Sequence, residues 1–133
     1  MSEFIEHIGI AVKSCGEAEK IFEEVFGVKV SERHRIEQEG VNVSFILLGD
    51  MRIELLEPVS KESPVASFIE KRGEGVHHIA IEVKNFDDIL ERLKQKYKII
   101  GPRISTTGKR FFFIHPKDFC GILIEIVEEG YRK

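Results

Sequence analysis

Apolar residues recur along the chain in two periods. Residues 4–12 are a β-rich run. In residues 15–26, Ala18, Ile21, Phe22, Val25 and Phe26 fall at helical spacing, which predicts an amphipathic helix with Gly27 where a C-cap belongs. A strand is expected over 28–35. Val41, Val43 and Phe45 alternate with polar residues and predict another, closed by the turn Gly49-Asp50, and 51–57 predict a further one. The order is β-α-β-β-β. The second half reads the same way: a strand at 78–83, a helix at 86–97 with Ile89, Leu90 and Leu93 inward, and strands near 99–104, 110–115 and 121–127. The joining segment holds Pro58, Ser63-Pro64, a short helix at 64–71 and the turn Gly73-Glu74-Gly75.

The two halves also agree residue by residue. His7-Ile8-Gly9-Ile10-Ala11-Val12-Lys13 returns 71 positions on as His78-Ile79-Ala80-Ile81-Glu82-Val83-Lys84. At the same offset Ile53-Glu54-Leu55-Leu56-Glu57 returns as Ile124-Glu125-Ile126-Val127-Glu128. Ser14 and Glu17 align with Asn85 and Asp88, both as capping-box openings of a helix, and Phe22 and Phe26 align with Leu93 and Tyr97. One register across so many positions implies an internal repeat. The expectation is an α+β fold: a single domain over 1–133, with modules at about 4–57 and 75–128 joined by 58–74. A four-stranded sheet with one helix covers one face, so the open faces should line a shared cleft or meet another chain.

Composition narrows the function classes. The 133 residues are 42% hydrophobic and 32% charged, enough apolar material for a core. The net charge of −3, with both signs interspersed, shows no basic stripe for nucleic acid. No apolar run approaches the ~20 residues that cross a bilayer. Met1-Ser2-Glu3-Phe4-Ile5-Glu6 is acidic and does not read as a signal peptide. Cys15 and Cys120 form no CxxC, which argues against a disulfide framework or zinc knuckle and fits a reducing cytoplasm.

The repeat singles out four side chains. His7 and Glu54 stand 47 residues apart, as do His78 and Glu125. Each half thus offers one imidazole and one carboxylate. A lone strand His is ordinarily a core residue and a lone strand Glu ordinarily solvated. Glu54 and Glu125, however, lie among Ile, Leu and Val, where an unpaired carboxylate would cost several kcal/mol. Two imidazoles and two carboxylates suit one divalent ion such as Mn, Co, Ni, Fe or Zn. His77 is expected to be structural or to support the ligands from behind, His34 to decorate a solvated edge, and His115 to line a cleft or cap a turn. Lys109, Arg110 and Lys117 read as a solvated strand end beside Phe111-Phe112-Phe113, or as a landing site for a phosphate-bearing ligand.

These motifs resemble the vicinal oxygen chelate (glyoxalase) superfamily, in which paired β-α-β-β-β modules form a cleft around a divalent metal. Within it the chain is similar to the methylmalonyl-CoA epimerase family, through Lys71-Arg72-Gly73-Glu74-Gly75-Val76-His77-His78-Ile79-Ala80, Phe113-Ile114-His115-Pro116-Lys117 and Gly121-Ile122-Leu123-Ile124-Glu125. The resemblance implies metal ligands at His7, Glu54, His78 and Glu125, although some epimerases carry Gln at the position of Glu54. It implies a second role for Glu125 as acid/base. It also implies interconversion of (2R)- and (2S)-methylmalonyl-CoA through a metal-stabilised enolate, with Lys109, Phe113, His115 and Lys117 toward the acyl-CoA, in a cytoplasmic homodimer. A second acid/base glutamate of certain members aligns with Val43; Glu37, Glu39, Glu54 or a bound water are the alternatives. Lactoylglutathione lyase, or a drug-sequestering protein without catalysis, are other readings of the same fold.

Overall fold

The computed structural model describes residues 3–130; residues 1, 2 and 131–133, the ends of the expected 1–133 domain, lie outside the described residues. The chain divides into two compact units. One spans His7–His77, and the other runs from His78 onward and includes residues 3–6. The fold class is α+β; each unit runs strand, helix and three more strands, and the first adds a second helix.

The first unit contains β1 (Glu3–Ala11, residues 7–11 of it), α1 (Cys15–Phe26), β2 (His34–Ile36), β3 (Val41–Leu48), β4 (Met51–Pro58) and α2 (Pro64–Arg72). Its strands lie in the order β2-β3-β4-β1, with β1 parallel to β4 and the other pairs antiparallel. On one face, Cys15, Ala18 and Phe22 of α1 pack on Val12, Ile46, Ile53 and Leu55. On the other, Val65, Phe68 and Ile69 of α2 pack on Ala11, Val41, Val43 and Leu56.

The second unit contains β5 (Gly75–Val83, from His78), α3 (Phe86–Lys94), β6 (Ile99–Ile104), β7 (Arg110–Ile114) and β8 (Leu123–Glu128). The order is β5-β8-β7-β6, with β5 parallel to β8. Phe86 and Leu90 of α3 cover Val83, Phe112, Ile114, Ile124 and Ile126. Ala80, Phe111 and Val127, with Phe113, form a smaller cluster of their own. Among the described residues no helix is long and apolar enough to cross a membrane.

The local signals of α1 behave as written. Ser14 Oγ accepts the Glu17 N–H at 3.2 Å, and Gly27, at φ +66°, takes the left-handed conformation that ends the helix. Four expectations are corrected. The strand expected over 28–35 reduces to a bridge between Val30 and Ile46 followed by β2. Here Ser31 Oγ accepts the Phe45 N–H at 3.1 Å, so a side chain replaces a ladder carbonyl. The stripe of α1 is rotated: Ile21, Val25 and Phe26 are 59%, 66% and 56% exposed. Glu19 turns to the sheet in their place, hydrogen-bonded to buried Ser44 and to Arg33 Nε at 2.8 Å. The helix expected to 97 ends at Lys94, where the Lys96 N–H turns to the Leu93 carbonyl in a tighter i→i−3 bond. Asn85 makes no side-chain cap bond, so the capping box is not repeated.

Candidate functional site

Strand alternation decides which side chains meet. In the first unit His7 shares a face with Ala11, and Arg52 and Glu54 with Leu56. Parallel pairing sets His7 beside Arg52 and Gly9 beside Glu54. His7 Nδ1 then lies 3.5 Å from Glu54 Oε2, with the imidazole buried and the carboxylate 14% exposed. In the second unit His78 shares a face with Ala80, and Glu125 with Val127. The parallel register again sets His78 beside Leu123 and Ala80 beside Glu125. His78 Nε2 lies 3.5 Å from Glu125 Oε1, and both residues are buried. The two units build matching pairs from equivalent strands, through Nδ1 in the first and Nε2 in the second.

A separation of 3.5 Å is long for a hydrogen bond between such groups. Two ligand atoms each ~2.1 Å from one ion stand about 3.0–3.4 Å apart at octahedral or tetrahedral angles. Each pair therefore fits two adjacent positions on a divalent ion, and the imidazole-carboxylate donor set suits borderline metals.

Arg52, which the sequence reading did not single out, stands beside the first pair. Its Nη2 lies 3.3 Å from Glu54 Oε2, and its guanidinium carbon sits 4.3 Å above the centre of the Phe45 ring. The signal was the spacing Arg52-x-Glu54 on a strand, which places both on one face. Glu6, before His7 in β1, is also buried, though it reads in the sequence as part of an acidic terminus.

The remaining residues are distributed as follows. Phe113 is the register partner of Glu125, half-buried, with its ring edge-on to Phe111 at 5.7 Å. His115 follows β7; its Nδ1 accepts the Lys117 N–H at 3.1 Å, and Lys117 is exposed. Lys109 precedes β7, six strand steps or roughly 20 Å from His115. The basic group is thus not one cluster. Arg110 is clasped by Asp87 at 2.8 and 3.1 Å and by Glu128 Oε2 at 2.8 Å, and lies over Phe86. Val43 is fully buried among Ala11, Val41, Leu56 and Val65. Glu37 and Glu39 are exposed in a 3₁₀ turn, with Glu37 2.7 Å from Arg35 Nε. His77 packs edge-on against Phe68 at 5.0 Å, and burial lowers its pKa. His34 is exposed beside Phe45. A cavity of about 560 Å³ in the second unit is lined by Ile81, Ile89, Leu93, Tyr97 and Ile126, on the α3 side of its sheet.

The same chain pattern occurs in known proteins. The family model of the Glyoxalase/Bleomycin resistance protein/Dioxygenase superfamily matches residues 6–113. The mitochondrial methylmalonyl-CoA epimerase of Homo sapiens is 36% identical over 126 residues, covering 92% of this chain and 72% of that protein. The ethylmalonyl-CoA/methylmalonyl-CoA epimerase of Cereibacter sphaeroides is 37% identical over 127 residues, covering 92% and 95%. A solved methylmalonyl-CoA epimerase in complex with methylmalonyl-CoA and NH4+ superposes with a TM-score of 0.85 at 29% identity, covering 100% of this chain and 99% of that one.

Proposed function

The chain belongs to the glyoxalase/bleomycin resistance protein/dioxygenase superfamily, and we propose that within it the protein is a metal-dependent epimerase interconverting (2R)- and (2S)-methylmalonyl-CoA. The observation that carries the reading is the repeated His–Glu pair, formed at 3.5 Å in both units. His7, Glu54, His78 and Glu125 would hold one divalent ion of Mn, Co, Ni, Fe or Zn character. The repeat and the donor chemistry support this set.

When bound, such an ion supplies Lewis-acid stabilisation of the negative charge that develops on the substrate's thioester and carboxylate oxygens. The side chains do the rest. Glu125 takes the C2 proton on a carboxylate oxygen, leaving an enolate, and a second acid on the opposite face, from among Glu37, Glu39, Glu54 or a bound water, gives C2 a proton and inverts it. Proton transfer by a positioned group contributes about 10²–10⁴-fold. Phe113, in register with Glu125, shields that proton from water. His115 and Lys117 at one end of β7, and Lys109 at the other, face the acyl-CoA, with a lysine meeting phosphate. The protein works as a homodimer, supported by the exposed apolar face Ile21, Val25 and Phe26 of α1. Both cysteines are free thiols, which supports a cytoplasmic setting.

Deuterium wash-in tests the reading. Metal-loaded protein in D₂O should exchange the C2 hydrogen of methylmalonyl-CoA and interconvert its two epimers. No exchange, together with isomerisation of a glutathione hemithioacetal, would assign the chain to lactoylglutathione lyase chemistry instead.

A further inference from the structure

We infer that Arg52 is a positioning residue that sets how much charge Glu54 brings to a divalent ion, and so weakens and tunes the metal grip of the first unit. The inference rests on the proposed metal-binding role of Glu54.

One carboxylate oxygen carries the geometry. Glu54 Oε2 lies 3.3 Å from Arg52 Nη2 and 3.5 Å from His7 Nδ1, so guanidinium and imidazole converge on the same atom. The arrangement is built into the strands. Arg52 and Glu54 are two apart on β4, His7 is the register partner of Arg52 on β1, and Phe45 is the register partner of Glu54 on β3. The Phe45 ring lies under the guanidinium at 4.3 Å and holds it over the sheet. Arg52 is 20% and Glu54 14% exposed, so solvent screens this pair less than a surface pair. Arginine keeps its charge at every working pH.

Two effects of Arg52 oppose each other. Its N–H fixes the carboxylate, which favours ligation; outer contacts of this kind commonly contribute about 10–100-fold to metal affinity. Its positive charge, within a few ångströms of where a dication would sit, opposes binding. At an effective dielectric near 20, a unit charge about 5 Å from a dication outweighs that gain. The repulsion wins. The repeat places Leu123 where the first unit has Arg52, and a leucine brings no charge to its strand. The two halves are therefore alike in their His and Glu and differ beside them, in Arg52 against Leu123 and in buried Glu6 against His77.

The test is a titration of Mn²⁺ into metal-free protein, with Arg52→Gln and Arg52→Lys beside the parent. Arg52→Gln should tighten Mn²⁺ binding about tenfold or more, and Arg52→Lys, which keeps the charge, should stay within about threefold of the parent. The gap between Arg52→Gln and the parent should narrow as salt rises from 0.02 to 0.5 M, which loss of packing would not cause. Unchanged or weaker binding by Arg52→Gln, or Arg52→Lys behaving like Arg52→Gln, overturns the inference while leaving the metal site in place. A parent that binds no Mn²⁺ overturns both.

Discussion

Glu125→Gln separates the charge of Glu125 from its shape. The amide matches the carboxylate in size, so the packing against Ala80 and Phe113, its register neighbours, is kept. The change is electrostatic, at a buried side chain whose Oε1 lies 3.5 Å from His78 Nε2. Removing one partner of a buried charge contact costs about 2–3 kcal/mol, or roughly 100-fold in affinity for an ion held there. At a concentration 100 times its dissociation constant, an ion stabilises the parent by about 2.7 kcal/mol. For a domain of this size that raises Tm by roughly 10 °C. In the variant the same concentration only equals the weakened constant, the stabilisation falls to about 0.4 kcal/mol, and the shift to roughly 1–2 °C. Differential scanning calorimetry with and without Mn²⁺ or Co²⁺ reads this directly. C2 exchange, followed in parallel by NMR in D₂O, should fall by about 10²–10⁴-fold. A parent-like thermal shift with parent-like exchange would remove Glu125 from both roles.

Three further outcomes follow from the packing and charge of the fold. Phe112→Ala empties a fully buried site edge-on to Phe86 at 5.3 Å and should cost about 3–5 kcal/mol, read as a lower urea midpoint at unchanged slope. The Arg110 guanidinium holds the Glu128 and Asp87 carboxyls below their ordinary values of 4.5 and 3.8. Because these folded-state values are depressed, the stability they contribute is present above the ordinary values and lost as pH falls through the depressed ones. Arg110→Met should therefore lower Tm above pH 5, with the gap to the parent closing on acidification; a pH-independent gap would rule out the charge mechanism. Burial pushes the Cys15 thiol up, whereas Cys120 is exposed, so a thiol reagent should consume one equivalent rapidly in native protein and the second only on unfolding.

What the sequence revealed, and where it stopped, has a consistent physical cause. The offset of 71 was legible because a strand face and a His–Glu pair depend on period-2 spacing and on the parallel register of two strands, both written locally. The rotation of α1 was not. Its direction is decided by Glu19, whose partners Arg33 and Ser44 are 14 and 25 residues away. The shortened β2 depends on the hydroxyl of Ser31 competing with a carbonyl of a strand 14 residues on. Arg110 is drawn out of the expected basic group by Asp87, 23 residues upstream, and Glu128, 18 downstream. Arg52 lay within reach of the strand argument, since Arg52-x-Glu54 is a same-face spacing. What concealed it was the repeat itself, which draws attention to matching positions and passes over the one where Leu123 differs.

The proposal that one ion serves both His–Glu pairs makes a prediction that a count of bound metal tests. Metal-free protein titrated with Co²⁺ should take up one ion per chain, and His7→Ala and His78→Ala should each abolish that tight uptake altogether. Two ions per chain, with each substitution removing only one of them, would mean that the pairs act separately, and no uptake would mean that neither is a metal site.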